Sequence, residues 1–261
     1  MPAPVVLPRQ AWGEPHASRR ALLVHGLGSN GALMWLYGTA LASIGWHATA
    51  VDLRGHGTAP RALDYSLAAY AADVAATTPD AAAPDAATRG AARPWDLVIG
   101  HSLGGAAATV AAAAHPDWTR QLVLVDPGIR LAGRDRSVVR ISQTRAFADP
   151  TEAAVRAQHP AWHPNDVELK ALAARQASRW GVEQTSDQNA VWDVTADALR
   201  LSVPTHIIAS DPEVYSIFTG DLVRDVLAHP RITMSVVTGA GHSPHRDKPA
   251  DTLRHLMEVL P

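Results

Sequence analysis

Cysteine is absent from this chain of 261 residues. That excludes a disulfide framework, a thiolate metal site and a cysteine nucleophile together. Charge excess is nearly absent too: the formal net charge is −2, which leaves no electrostatic case for nucleic acid or an anionic membrane surface. No apolar run approaches the length that spans a bilayer. The opening "MPAPVVLPRQAWGEP" has no charged stretch followed by a long apolar core, so no secretory signal is expected and the expected location is cytoplasmic. The chain that remains is 47% hydrophobic and 18% charged, the profile of a soluble globular protein. Its length suits one large α/β domain with an insertion and a substantial core.

Short apolar runs alternate with longer helical patterns, the signature of βαβ units and a mostly parallel sheet. Residues 21–26, 47–53, 95–100, 121–126, 205–210 and 233–239 read as strands, several apolar throughout, as strands buried on both faces should be. Residues 33–43, 66–77, 103–114, 217–228 and 247–259 read as helices. The opening residues have room for one or two short strands at a sheet edge.

Two stretches break the rhythm. "TPDAAAPDAATRGAARP" (78–94) is a low-complexity segment expected as a long mobile loop, because Pro79, Pro84, Gly90 and Pro94 interrupt any extended helix. From about Arg130 to Leu201 no strand pattern appears, and the helical segments carry Trp162, Trp180 and Trp192. A helical insertion between two parallel strands reads as a cap over the strand C-termini, where such sheets bind ligands. The expected division is a core of 1–129 and 202–261 with a cap of 130–201.

"GHSLGG" (100–105) stands between an apolar strand and an alanine-rich helix. Gly100, Ser102 and Gly104 fit the Gly-x-Ser-x-Gly nucleophile elbow. Such a sharp turn forces its central residue into a strained conformation, and side chains two residues either side would collide. The serine hydroxyl then stands clear at a helix N-terminus, where the Leu103 N–H can donate to a developing oxyanion. A serine needs a base, and the base needs an orienting acid. His242, in "GAGHS", follows the last strand, and Asp211, in "ASDPEV", follows the strand before it. Asp126, in "VDPG", also follows a strand and competes for the acid position; the common arrangement, an Asp after one strand and the His on the loop after the next, favours Asp211.

With "HGLGSN" (25–30), "DLRGHG" (52–57), "VDPG" (125–128) and "GAGHS" (239–243) beside "GHSLGG", the sequence resembles the α/β-hydrolase superfamily over nearly its whole length, in its capped serine esterase and lipase-like branch. The resemblance implies Ser102 as nucleophile, His242 as base, Asp211 as acid, Leu27 as the second oxyanion N–H, and a helical cap. It implies no cofactor. Serine rather than aspartate at 102 argues against the epoxide-hydrolase and haloalkane-dehalogenase chemistries of the superfamily.

The expected activity is hydrolysis of a small, largely apolar carboxylic ester. A lactone, an amide, a carbon–carbon bond or perhydrolysis would suit the same triad, and a non-catalytic ligand receptor would suit the same fold. Met34, Trp35, Trp162, Trp180, Trp192, Ile217 and Phe218 are the candidate pocket residues, and the oligomeric state is open. "GLGSNG" (26–31) with Asp52 approximates a dinucleotide fingerprint, but that reading leaves Ser102, Asp211 and His242 unexplained. The pairs His242/His245 and His159/His163 are spaced like metal ligands, yet prolines adjoin them and carboxylate partners are lacking. His101 is expected to pack away from the nucleophile, and His25 and Arg54 to brace the oxyanion loop.

Overall fold

A computed structural model describes residues 3–79 and 93–260, so all but the ends of the low-complexity stretch 78–94 lie outside the described residues. Among the described residues seven strands form one sheet: β1 Arg9–Trp12, β2 Arg19–Val24, β3 Trp46–Val51, β4 Leu97–His101, β5 Leu122–Val125, β6 Thr205–Ser210 and β7 Ile232–Val237. They lie in the order β1-β3-β2-β4-β5-β6-β7, with β1 antiparallel at the edge and every other pairing parallel. The opening residues therefore supply one edge strand.

Helices cover both faces, as a parallel sheet buried on both sides requires. Alternate strand residues serve opposite layers. Leu22 and Val24 pack in one core cluster with α2 (Leu67–Ala75) and α3 (Leu103–Ala114), while Ala21 and Leu23 join the other with α1 (Trp35–Ser43). The alanines of α3 let that helix lie close to β4, and nine of its residues are buried.

Between β5 and β6 lie α4 (Gly133–Ala148), α5 (Glu152–Gln158), α6 (Pro164–Gln176), α7 (Arg179–Asp187) and α8 (Thr195–Ala198). No strand occurs there among the described residues; a single bridge between Arg130 and Asp193 closes the base of the insertion. Two helix expectations need correction. Residues 217–220 stay outside α9 (Asp221–Leu227), because Gly220 takes a left-handed φ of 63° just before it. The last expected helix, 247–259, starts two residues late as α11 (Pro249–Val259), and Asp247 instead closes a short α10 (Pro244–Asp247). Pro249 drives Lys248 out of helical conformation, to φ −139° and ψ 65°.

Parallel strands bring all their C-terminal ends to one edge. The loops after β2, β4, β5, β6 and β7 thus gather Leu27, Ser102, Asp126, Asp211 and His242 at the same side of the sheet.

Candidate active site

Ser102 joins β4 to α3 with φ 53° and ψ −115°, a conformation rare for any residue but glycine. The flanking glycines explain how the turn survives. A Cβ on Gly100 would stand 2.7 Å from the Gly104 carbonyl oxygen, and one on Gly104 would stand 2.6 Å from that of His25. Leu103 opens α3, so its N–H belongs to the first turn, which lacks intrahelical acceptors. Leu27 and Leu103 both border a small cleft that Ser102 also lines.

The Ser102 Oγ lies 2.9 Å from His242 Nε2, and His242 Nδ1 lies 2.6 Å from Asp126 Oδ2. The acid beside the histidine is therefore Asp126, which corrects the expectation of Asp211. Asp126 directly follows β5, the strand next to β4, and takes a left-handed φ of 37° that turns it out of the sheet. Its carboxylate is wholly buried and satisfied: Oδ1 accepts from the Ser216 hydroxyl at 2.5 Å and the Ser210 N–H at 3.2 Å, and Oδ2 also accepts from the Ile217 N–H at 3.2 Å. Asp211 points elsewhere. It accepts the Gly239 N–H at 2.7 Å and the Glu213 N–H at 2.9 Å, and these bonds hold its carboxyl below the usual range. Asp211 thus ties down the loop that carries His242.

His101 is buried behind this pair, as expected. Its Nε2–H donates to the His242 carbonyl oxygen at 2.9 Å, and burial, with the neighbouring His242, pushes its pKa well down. His25 supports the loop after β2: Nδ1–H donates to the Gly26 oxygen at 2.7 Å while Nε2 accepts the Leu53 N–H at 3.0 Å. Burial lowers its pKa to about 3, so the ring is neutral, as those two bonds require. Arg54 does not brace that loop; its guanidinium forms a buried bidentate pair with Asp73 on α2, at 2.6 and 2.7 Å. Asp52 accepts the N–H groups of Gly31 and Thr58, each at 2.8 Å, and so has a structural use that replaces the dinucleotide reading.

Among the described residues no cluster of three potential metal ligands occurs. His159 stacks on Trp162 at 3.7 Å between centroids, and His245 is buried against Tyr37 and His101.

Ser102 and His242 open into a cavity of about 620 Å³. Of the expected pocket residues, Trp162 lines this cavity, and Trp192 and Ile217 line the small cleft beside Ser102. The others are corrected. Met34 and Phe218 are buried in the two core layers. Trp35 donates its indole N–H to Asp166 at 2.9 Å, and Trp180 is 45% exposed against the edge of Tyr65. The insertion supplies residues the motifs did not reveal. Gln143 of α4 and Lys170 of α6 donate to the carbonyl oxygens of Leu27 and Gly28, at 3.4 and 2.8 Å. Ser216, the partner of Asp126, had no motif to mark it either.

A family profile described as "Alpha/beta hydrolase family" matches residues 21–255. Lipase LipV of Mycobacterium tuberculosis is 33% identical over 150 residues, covering 57% of this chain and 53% of the lipase, so the chain spans about half of that relative's length. The 2-(acetamidomethylene)succinate hydrolase of Mesorhizobium japonicum is 26% identical across 92% of this chain and 87% of its own. Among solved structures, the N-formylmaleamic acid deformylase of Pseudomonas putida S16 superposes with a TM-score of 0.77 at 23% identity, over 96% of each chain. At that identity the superposition speaks for the fold. With the sheet order, the elbow and a profile covering most of the sequence in agreement, the chain belongs to the alpha/beta hydrolase family.

Proposed function

We propose that this protein is a serine hydrolase that cleaves carboxylic esters, lactones included, through an acyl-enzyme. The observation that carries the reading is the unbroken line Ser102 Oγ, His242 Nε2, His242 Nδ1, Asp126 Oδ2, with gaps of 2.9 and 2.6 Å, at the wall of a cavity. Asp126 accepts the Nδ1–H and so leaves Nε2 free to take the serine proton as Oγ attacks the carbonyl. The carboxylate stabilises the imidazolium that forms. The Leu27 and Leu103 N–H groups hold the oxyanion, His242 then protonates the leaving alcohol, and water repeats the sequence to release the acid. Residues 130–201 act as the cap that walls the cavity and shields the acyl-enzyme.

Amide cleavage is the second reading, favoured by the deformylase and the Mesorhizobium hydrolase, which align over nearly the full chain where the lipase aligns over half. A fluorophosphonate probe and a panel of 4-nitrophenyl esters and matching anilides test both. The expected result is labelling of the protein and loss of labelling in Ser102→Ala, with esters turned over faster than anilides. Labelling that persists in Ser102→Ala would identify the wrong serine, and a folded protein that binds ligands while Ser102 stays unmodified would sink the enzyme reading in favour of a receptor.

A further inference from the structure

The cavity beside Ser102 holds more positive charge than its own acids balance. Lys170, Arg246 and Lys248 line it, against the single carboxylate of Asp247. Asp247 is already engaged: Oδ1 accepts the Trp162 indole N–H at 2.6 Å and Oδ2 the Gly241 N–H at 2.9 Å. Asp166, outside the lining, accepts the Trp35 indole N–H and stands 3.9 Å from Arg246 Nε.

Lys170 meets no carboxylate among the described residues. Its Nζ donates once, to the Gly28 oxygen at 2.8 Å, which leaves two of the three ammonium N–H groups unused. The next residue along that loop, Ser29, is buried and its Oγ has no hydrogen-bond partner, although it lines the same cavity. Arg246 lines the same cavity, its guanidinium 5.3 Å from the centre of the Trp162 ring, with Nε and one terminal nitrogen making no hydrogen bond among the described residues. Burial, with Arg246 beyond it, pushes the Lys170 ammonium down to about 7, the sign of a cation held without its counter-charge. Unpaired donors of this kind are costly in an empty wall and useful in a binding one.

We propose that Lys170 and Ser29, backed by the positive field of Arg246, form a subsite for a carboxylate carried by the substrate. The carboxylate accepts the two free Lys170 N–H groups and the Ser29 hydroxyl. Ser29 sits on the loop bearing Leu27, and Lys170 of α6 is bonded to that loop through the Gly28 oxygen, so one end of the substrate is fixed while its carbonyl faces Ser102. The chemistry of this assignment rests on the ester-hydrolase reading; the binding does not.

Two matched ester pairs test it. In 4-nitrophenyl hydrogen glutarate against 4-nitrophenyl pentanoate the acid is on the acyl side. In 4-acetoxybenzoate against its methyl ester the acid is on the alcohol side. The readout is the ratio of kcat/KM for the acidic ester over the neutral one, taken within each protein variant. One pair should show a ratio of about tenfold or more, the scale of a charge-assisted hydrogen bond. Lys170→Met should collapse that ratio and Lys170→Arg should retain it. If Lys170→Met does not fold, Ser29→Ala must reduce the same ratio. No preference in either pair, or a preference that survives in the variant read, overturns the assignment. Should no ester be turned over at all, titration of glutarate into the Ser102→Ala protein separates the two failures. Glutarate binding that Lys170→Met weakens about tenfold upholds the subsite without the hydrolase. Absence of glutarate binding removes the subsite.

Discussion

Replacing Asp126 by asparagine tests the acid assignment most directly, because four donors converge on that one buried carboxylate. Asparagine offers a single acceptor oxygen, so two of the four donors must face an NH2 group. If the NH2 faces His242, the ring is driven to the tautomer with hydrogen on Nε2, which cannot accept the Ser102 proton. A tautomer error of this kind costs about 10⁴-fold in kcat, or ~5.5 kcal/mol of transition-state stabilisation. If the amide is reversed, the Ser216 hydroxyl can rotate, but the Ser210 N–H loses its acceptor at a cost of about 1–3 kcal/mol in stability. The first orientation costs that activity and also strands the Ile217 N–H; the second spares the tautomer and costs stability alone. Asp126→Asn should therefore show a drop of about 10³–10⁴ in kcat/KM on a 4-nitrophenyl ester, or a visibly lower melting temperature, or both. Asp211→Asn keeps one acceptor for an exposed loop and should stay within about threefold of the parent enzyme. Steady-state kinetics with thermal melts on both variants decide it. An inactive Asp211→Asn beside a normally active and stable Asp126→Asn would refute the reasoning.

The buried histidines make stability fall on the acid side. Burial is the largest cause that lowers His25 to about 3 and His56 to about 4, from an ordinary 6.5. The unfolded chain therefore binds more protons below about 6.5, and stability, complete above that pH, is lost as pH falls toward about 4. Urea midpoints should drop between pH 7.5 and 4.5, by roughly a few kcal/mol in all, and a flat profile would contradict the burial of these rings. The tryptophans separate cavity wall from surface. Trp162→Ala should raise KM by about tenfold and destabilise by roughly 3–5 kcal/mol, whereas Trp180→Ala, half-exposed against Tyr65, should leave ester kinetics unchanged.

Strand positions were legible because burial on both faces forces continuous apolar runs, and helix α3 was read to its ends because glycine and alanine mark both its turn and its close packing. Helix ends governed by a single backbone angle were less legible: Gly220 and Lys248 shorten two helices that periodicity alone extends. The tryptophans of the insertion read alike in sequence, all as candidate pocket residues, because nothing local tells their surroundings apart. Trp162 joins the cavity while Trp180 turns to solvent, and only the arrangement of helices around them makes that distinction.

The sequence by itself determined the elbow, since β4 can turn into α3 at this angle only where no Cβ stands at positions 100 and 104. It also determined that His242 follows the last strand, within reach of the serine. Which aspartate meets that histidine was decided by tertiary structure. Asp126 and Asp211 both directly follow parallel strands in similar local sequence, so local chemistry does not separate them. The loops around them do: Asp126, with its left-handed backbone, meets His242 Nδ1, while the carboxylate of Asp211 is taken up by the N–H groups of Gly239 and Glu213. Asp211, one strand farther out, is left to hold the base of that loop. The same holds for Lys170, which is an ordinary helical lysine in sequence. It becomes an unpaired cation on the cavity wall only when α6 lies across the loop that carries Gly28 and Ser29.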